Sequence, residues 1–138
     1  MSKYGAIPNL IYSDANAAVS FLKKAFGFKE HGVYKDDKGK IFHAQLILGK
    51  ALVMVNTFNP DTAFGKMLNL PKNLKGYNTQ TPYFIIENVD EHYQKAKANG
   101  AQIVMDIKDE DYGGRGYSCK DPEGNIWSFG SYNPFSEK

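Results

Sequence analysis

The chain has 138 residues, 42% of them apolar and 23% charged, with a net charge of +2; this fits one domain, or two small modules sharing one core. Its basic residues are spread among the acids, so no concentrated basic face for nucleic acid is expected. No run approaches the ~18–20 apolar residues of a membrane helix, and the lone Cys119 excludes an intramolecular disulfide and a thiolate metal cluster, so a soluble, cytoplasmic protein is the expectation.

The first segment, AIPNLIYSD, has strand character and ends at Ser13-Asp14, whose short oxygen-bearing side chains suit a helix N-cap. ANAAVSFLKKAFGF then reads as a helix. Ala18, Phe21, Leu22, Ala25 and Phe26 recur at helical spacing, and Gly27 stops it. Strands follow in HGVYKDD, KIFHAQLIL and ALVMVNTF, separated by the turn sequences DDKG and GK. The next stretch, 59–80, is polar and rich in Pro, Gly and Asn; it reads as a loop or lid with one short helix. The pattern then restarts roughly 74 positions on. TPYFII is a strand, Glu87-Asn88 a polar pair, and Val89, Tyr93 and Ala96 one face of a second helix that Gly100 ends. QIVMDIKDE, GRGYSCK and NIWSFGSY supply three more strands around a DPEG turn. The fold class is α+β, with two β-α-β-β-β modules (5–58 and 81–133) forming a cupped mixed sheet in one domain.

A helix covers one face of each module and leaves the other open. Strand alternation assigns side chains to the two. With Gly49-Lys50 as a two-residue turn, Phe42, Ala44, Leu46, Leu48, Ala51, Val53 and Val55 lie under the helix. His43, Gln45, Met54 and Asn56 then face the open side, joined by Ile7, Asn9 and Ile11. In the second module, Trp127 and Phe129 are assigned to the helix side. Thr81, Tyr83, Ile85, Arg115, Tyr117, Cys119, Ser128 and Tyr132 are assigned to the open side. Aromatic walls, one cation, one imidazole and a few amides and hydroxyls suit a medium-sized organic ligand. Asn9, Gln45, Met54, Asn56, Tyr83, Arg115, Tyr117, Ser128 and Tyr132 are the candidate ligand contacts, on a face with no assigned Asp or Glu.

Each candidate has a plainer reading. His43 is a pocket-lining polar group, a ligand-contacting acid or base, or a metal ligand. Arg115 closes its module by a salt bridge, or clamps a carboxylate. The tyrosines stack on a ligand or fill the concave side. Cys119 would need a lowered pKa and a base to act as a nucleophile. Asp121 and Glu123 read as solvated turn residues, and His31 and His92 as surface residues.

Three stretches carry a family resemblance: YSDANAAVSFLKKAFGFKE, the HAQL strand, and DYGGRGYSCKDPEGNIWSFGSY. In the last, an Arg-x-Tyr strand precedes Asp-Pro-x-Gly-x-x-Trp. Together they resemble the vicinal oxygen chelate superfamily, which includes glyoxalase I, bleomycin-resistance proteins and extradiol dioxygenases. The resemblance implies a homodimer in which modules of two chains shape the cavity. It also implies metal-ligand positions at Ile7, Met54, Thr81 and Ser128, none of which is His or Glu. No cofactor is therefore expected. The reading is a protein that binds a small organic ligand in the concave cavity without a catalytic metal; a glyoxalase-like lyase or isomerase using His43, as acid–base or with a divalent metal, is the alternative. A cationic glycopeptide would call for an acidic site, which counts against bleomycin itself.

Overall fold

The computed structural model describes residues 3–136. Asp14 accepts a hydrogen bond from the Ala17 N–H at 3.0 Å and starts helix α1 (Ala15–Phe26). Gly27, at φ 82°, ends it in the left-handed region that glycine enters without a Cβ clash. All five residues of the expected apolar face are buried. Helix α2 (Val89–Ala98) buries Val89, Tyr93 and Ala96, although Asn88 makes no side-chain cap.

The strands form the same sheet twice. β1 (Asn9–Tyr12), β2 (Lys29–Lys35), β3 (Ile41–Leu48) and β4 (Ala51–Thr57) are arranged β1-β4-β3-β2. β5 (Tyr83–Ile85), β6 (Gln102–Asp109), β7 (Arg115–Lys120) and β8 (Ile126–Gly130) are arranged β5-β8-β7-β6. β1 and β5 pair in parallel with β4 and β8, and the other neighbours are antiparallel. The β3–β4 hairpin turns on two residues, with Leu48 opposite Ala51 and only Gly49 of the pair at positive φ, as a type II′ turn requires. Between the modules the chain makes two short 3-10 turns, Gly65–Met67 and Pro71–Leu74, where one helix is expected.

One core serves both modules. Phe26 of α1 packs against Trp127 and Phe129 of β8, with ring centroids 5.3 and 4.7 Å apart, and Phe28 meets Phe84 of β5 at 5.7 Å. Burial of these rings favours docking by about 1.5–3 kcal/mol for each large apolar side chain.

Three local expectations are corrected. Phe42 is 55% exposed, and Ile41 takes its place under the helix at 5%. The cause is a β-bulge: Tyr34 pairs with His43 but Lys35 pairs with Ile41, so Phe42 is the extra residue. His92, expected at the surface, is half-buried between α1 and sheet two. Its Nε2 lies 2.9 Å from the Phe26 carbonyl and its Nδ1 2.6 Å from the Tyr117 hydroxyl. The DPEG turn is not merely solvated. Asp121 is buried, at 4% exposure. The Glu123 carboxylate accepts from the Ser13 N–H (2.7 Å), the Ser13 hydroxyl (2.9 Å) and the Asp14 N–H (2.9 Å). Module two thereby holds the chain at the start of α1, where a negative charge is favoured.

Candidate functional site

The open face of sheet one carries a row of amides around an imidazole. Register places His43 opposite Asn56 and Gln45 opposite Met54, with Asn9 beside Met54 on the other side. Directly paired residues share a face, so all five fall together. His43 Nδ1 lies 2.7 Å from Asn56 Oδ1, and His43 Nε2 lies 3.3 Å from Gln45 Nε2. The Asn56 amide donates in turn to Asn9 Oδ1. One tautomer satisfies the whole row: the Nδ1–H donates to Asn56, and the bare Nε2 accepts from Gln45. Tyr34 of β2, which sequence reasoning does not single out, stacks on the His43 ring at 5.8 Å. Both ring nitrogens are engaged by neutral amides, so the arrangement presents an oriented imidazole to whatever occupies the face.

Sheet two departs from expectation at β7. Tyr117 is paired with Phe129 and Cys119 with Trp127, so both lie on the helix side, at 4% and 0% exposure. The five-residue connection 121–125 sets this parity, and a one-residue slip inverts every side chain. Burial, with the nearby Asp121 charge, pushes the Cys119 thiol up to about 12, and burial first raises the Tyr117 phenol well above its usual range. A thiol held protonated is a poor nucleophile. Arg115 is likewise behind the sheet, where it pairs with Asp90 at the start of α2 and with Asp109, each at 3.2 Å. Its salt-bridge reading stands, and it does not reach the open face.

The residues that take the vacated places are small. Ser118 faces Ser128, with hydroxyl oxygens 2.7 Å apart, and Gly116 faces Gly130. Gly130 is required for the packing above it, because a Cβ there would come 2.8 Å from the Tyr83 hydroxyl. That hydroxyl donates to the Tyr132 carbonyl at 2.7 Å, which turns the Tyr83 ring across the sheet. The small floor leaves a cleft of about 240 Å³. Tyr83 and Tyr112 form part of its wall with Met105, and Ser118 and Ser128 line its base. Tyr112 packs edge-on against Tyr132 at 4.9 Å. Asp106 and Glu110 also border it. β6 is bulged between Met105 and Lys108; the Asp106 carboxylate turns to α2, where it accepts from the Tyr93 hydroxyl. Ser118 was recoverable from the sequence, since Tyr117 and Cys119 alternate in step with Trp127 and Phe129. Glu110 and Tyr112 sit in the β6–β7 loop, where no periodicity speaks.

The two groups of candidate residues lie on different sheets. Asn9, His43, Gln45, Met54 and Asn56 belong to sheet one; Tyr83, Ser128 and Tyr132 belong to sheet two or follow it. Among the described residues no three His, Cys, Asp or Glu side chains gather into a metal-binding group. The positions implied for a metal hold Ile7, Met54, Thr81 and Ser128, and this donor set does not fit a divalent catalytic ion.

Comparison with known proteins agrees with this architecture. The model of the Glyoxalase/Bleomycin resistance protein/Dioxygenase superfamily matches residues 6–129. An uncharacterised protein of Mycobacterium tuberculosis is 34% identical over 123 residues, covering 89% of this chain and 71% of its own length. A counterpart in Mycobacterium bovis shows the same identity over 80% of its length. Among solved structures, TioX from Micromonospora sp. is 30% identical, with a TM-score of 0.72 over 94% of this chain and all of that one. FosX from Listeria monocytogenes, a fosfomycin resistance protein solved with Mn(II) and sulfate, shares the fold at a TM-score of 0.68. It is 17% identical, with 97% of this chain and 94% of that chain covered.

Proposed function

The chain belongs to the Glyoxalase/Bleomycin resistance protein/Dioxygenase superfamily, and from that premise we propose that it binds a small organic ligand on its open sheet faces without a resident catalytic metal. The observation that carries this reading is the cleft of about 240 Å³ over sheet two, floored by serines and glycines and walled by tyrosines. It combines flat apolar walls with a few converging polar groups, the usual make-up of a small-molecule site. The side chains at the four implied metal positions support the absence of a metal. His43 lies outside that cleft, on the open face of sheet one, where amides hold both of its ring nitrogens and make it an oriented hydrogen-bonding group.

A thermal-shift screen of planar and heteroaromatic compounds tests the ligand reading, because a ligand of the native state raises stability by mass action, by about 2.7 kcal/mol at a hundred times its Kd. Ser128→Leu fills the floor of the cleft and is expected to abolish the shifts while leaving the unliganded melting temperature close to that of the parent. Shifts that survive Ser128→Leu would place the ligand elsewhere, and a library without any hit would remove the reading.

The reading includes a homodimer. Both open faces expose large apolar side chains: Ile7, Tyr34 and Phe42 on module one, Tyr83, Ile85 and Met105 on module two. Faces of this kind are covered in stable proteins by a partner or a ligand. Sedimentation equilibrium is expected to return twice the chain mass; a monomer throughout the micromolar range would contradict it.

A further inference from the structure

We propose that the strap between the two modules docks the protein, peripherally and reversibly, on an anionic lipid surface. The strap runs through the two 3-10 turns, and from 62 to 80 it contains Lys66, Lys72 and Lys75 but no acidic residue. Leu70 and Pro71 turn inward and fix it, both buried. Phe64, Met67, Leu74 and Tyr77 stay out, at 63, 74, 41 and 74% exposure. Large apolar side chains this close together in a chain mark a contact surface more often than single scattered ones do.

The second turn carries most of the charge. The Gly76 N–H donates to the Pro71 carbonyl at 2.8 Å and the Tyr77 N–H to the Leu74 carbonyl at 3.0 Å, so Lys72, Leu74, Lys75 and Tyr77 sit on one tight double turn. Asn78 pins this turn to the β7–β8 connection. Its amide donates to the Gly124 carbonyl at 3.0 Å, and its Oδ1 accepts from the Ile126 N–H at 3.1 Å. Lys120, the last residue of β7, comes to the same spot: a Cβ on Gly76 would lie 3.7 Å from its Nζ. Lys72, Lys75 and Lys120 thus gather at one end of sheet two, and no ion pair among the described residues includes any of them. The acids of the neighbouring turn are committed elsewhere, Asp121 to Tyr12 and Trp127, and Glu123 to Ser13 and Asp14. Lys75 stands at φ 56°, the one described non-glycine residue in the left-handed region, a conformation that glycine takes without strain.

Charge and composition select the occupant. A two-fold contact between copies centred on this patch would set lysines against lysines. Interfaces between proteins favour Arg and are depleted in Lys, whereas this cluster is built from lysines alone. A bilayer with anionic headgroups meets both parts of the patch. The lysine stems lie along the apolar boundary with their ammonium groups at the phosphates, and Leu74 and Tyr77 enter the headgroup region. The first turn offers the same mixture in Phe64, Lys66 and Met67, all exposed. No helix among the described residues is long and apolar enough to cross a membrane, so the strap makes a surface contact.

Flotation of the full-length protein with vesicles tests this, using phosphatidylcholine alone or phosphatidylcholine and phosphatidylglycerol in equal parts. The anionic vesicles are expected to bind about tenfold or more tighter than the neutral ones, and high salt should remove most of the difference. Lys72→Gln combined with Lys75→Gly should weaken anionic binding about tenfold or more. The melting temperature should stay close to the parent's, because glycine suits the backbone at 75. Lys24→Gln combined with Lys50→Gln removes the same charge from exposed positions of module one and should change binding by no more than about twofold. Tyr77→Ser should weaken binding about threefold or more. Equal binding to the two kinds of vesicle, no binding to either, or equal losses in the two double variants would overturn the proposal. Soluble polyglutamate bound as tightly as the vesicles, with Tyr77→Ser without effect, would make the patch a contact for an acidic protein. A changed sedimentation mass in the Lys72/Lys75 variant, with vesicle binding unchanged, would make it a contact between copies. Either of these results overturns the lipid reading.

Discussion

Replacing Asp121 by Asn is expected to lower stability by about 3 kcal/mol, or roughly 10 °C in melting temperature for a chain of this size. The change is nearly isosteric, so the effect is one of hydrogen-bond polarity. Four donors converge on the two carboxylate oxygens. The Tyr12 hydroxyl and the Trp127 Nε1–H reach Oδ2 at 2.7 and 3.0 Å. The Glu123 and Asn125 N–H groups reach Oδ1, both at 3.0 Å. An amide must turn its NH₂ towards one of these pairs, setting donor against donor in a site that is 4% exposed. Burial raises the Asp121 carboxyl above its usual range despite these bonds. A folded pKa above the unfolded value of ~3.9 means that this group's contribution is complete below that value and is lost as pH rises through the folded one. The four donors thus gather on the Asp121 side chain against a desolvation cost, tying β1 and β8 to the turn that follows β7. Urea denaturation of D121N against the parent checks the loss; a change under 1 kcal/mol would show that the donors find other acceptors.

The second large effect concerns His92. His92→Phe keeps a ring against Phe129, whose centroid is 4.4 Å away. It leaves the Tyr117 hydroxyl and the Phe26 carbonyl without their partner. Orphaning two such groups is expected to cost about 2–3 kcal/mol. The pH dependence is more diagnostic. Burial holds the His92 pKa below its ordinary value, with Lys95 adding to the effect. The unfolded chain therefore takes up the proton first on acidification. His92's contribution is full above the unfolded value of ~6.5 and is lost as pH falls through the folded one. The parent should lose stability on titration downward from ~6.5, and His92→Phe should flatten that part of the profile. Identical slopes in the two proteins would assign the acid sensitivity to other groups.

These two residues also show where the sequence was readable. The repeat, both helix faces, the Gly27 stop and the two-residue hairpin follow from periodicity and turn chemistry that act over a few residues. The same logic placed His43, Gln45 and Asn56 on one open face, because a tight turn fixes register. It misplaced Tyr117, Cys119 and Arg115, because the longer connection 121–125 leaves parity open. It misplaced Phe42, because a bulge breaks the two-residue period. Asp121, Glu123 and His92 looked like surface polar residues because their partners are distant in the chain: Tyr12 and Ser13 for the two acids, Phe26 for the imidazole. Glu110 and Tyr112, which border the cleft, lie in the β6–β7 loop, where no periodicity fixes a face.

The central claim is a ligand-binding face without a resident metal, and metal content tests it most directly. Inductively coupled plasma mass spectrometry of the protein, purified without chelator and dialysed, should find zinc, nickel, manganese and iron each far below one per chain, and His43→Ala should not alter the values. Close to one equivalent of any of these metals, lost in His43→Ala, would contradict the account and make His43 a metal ligand.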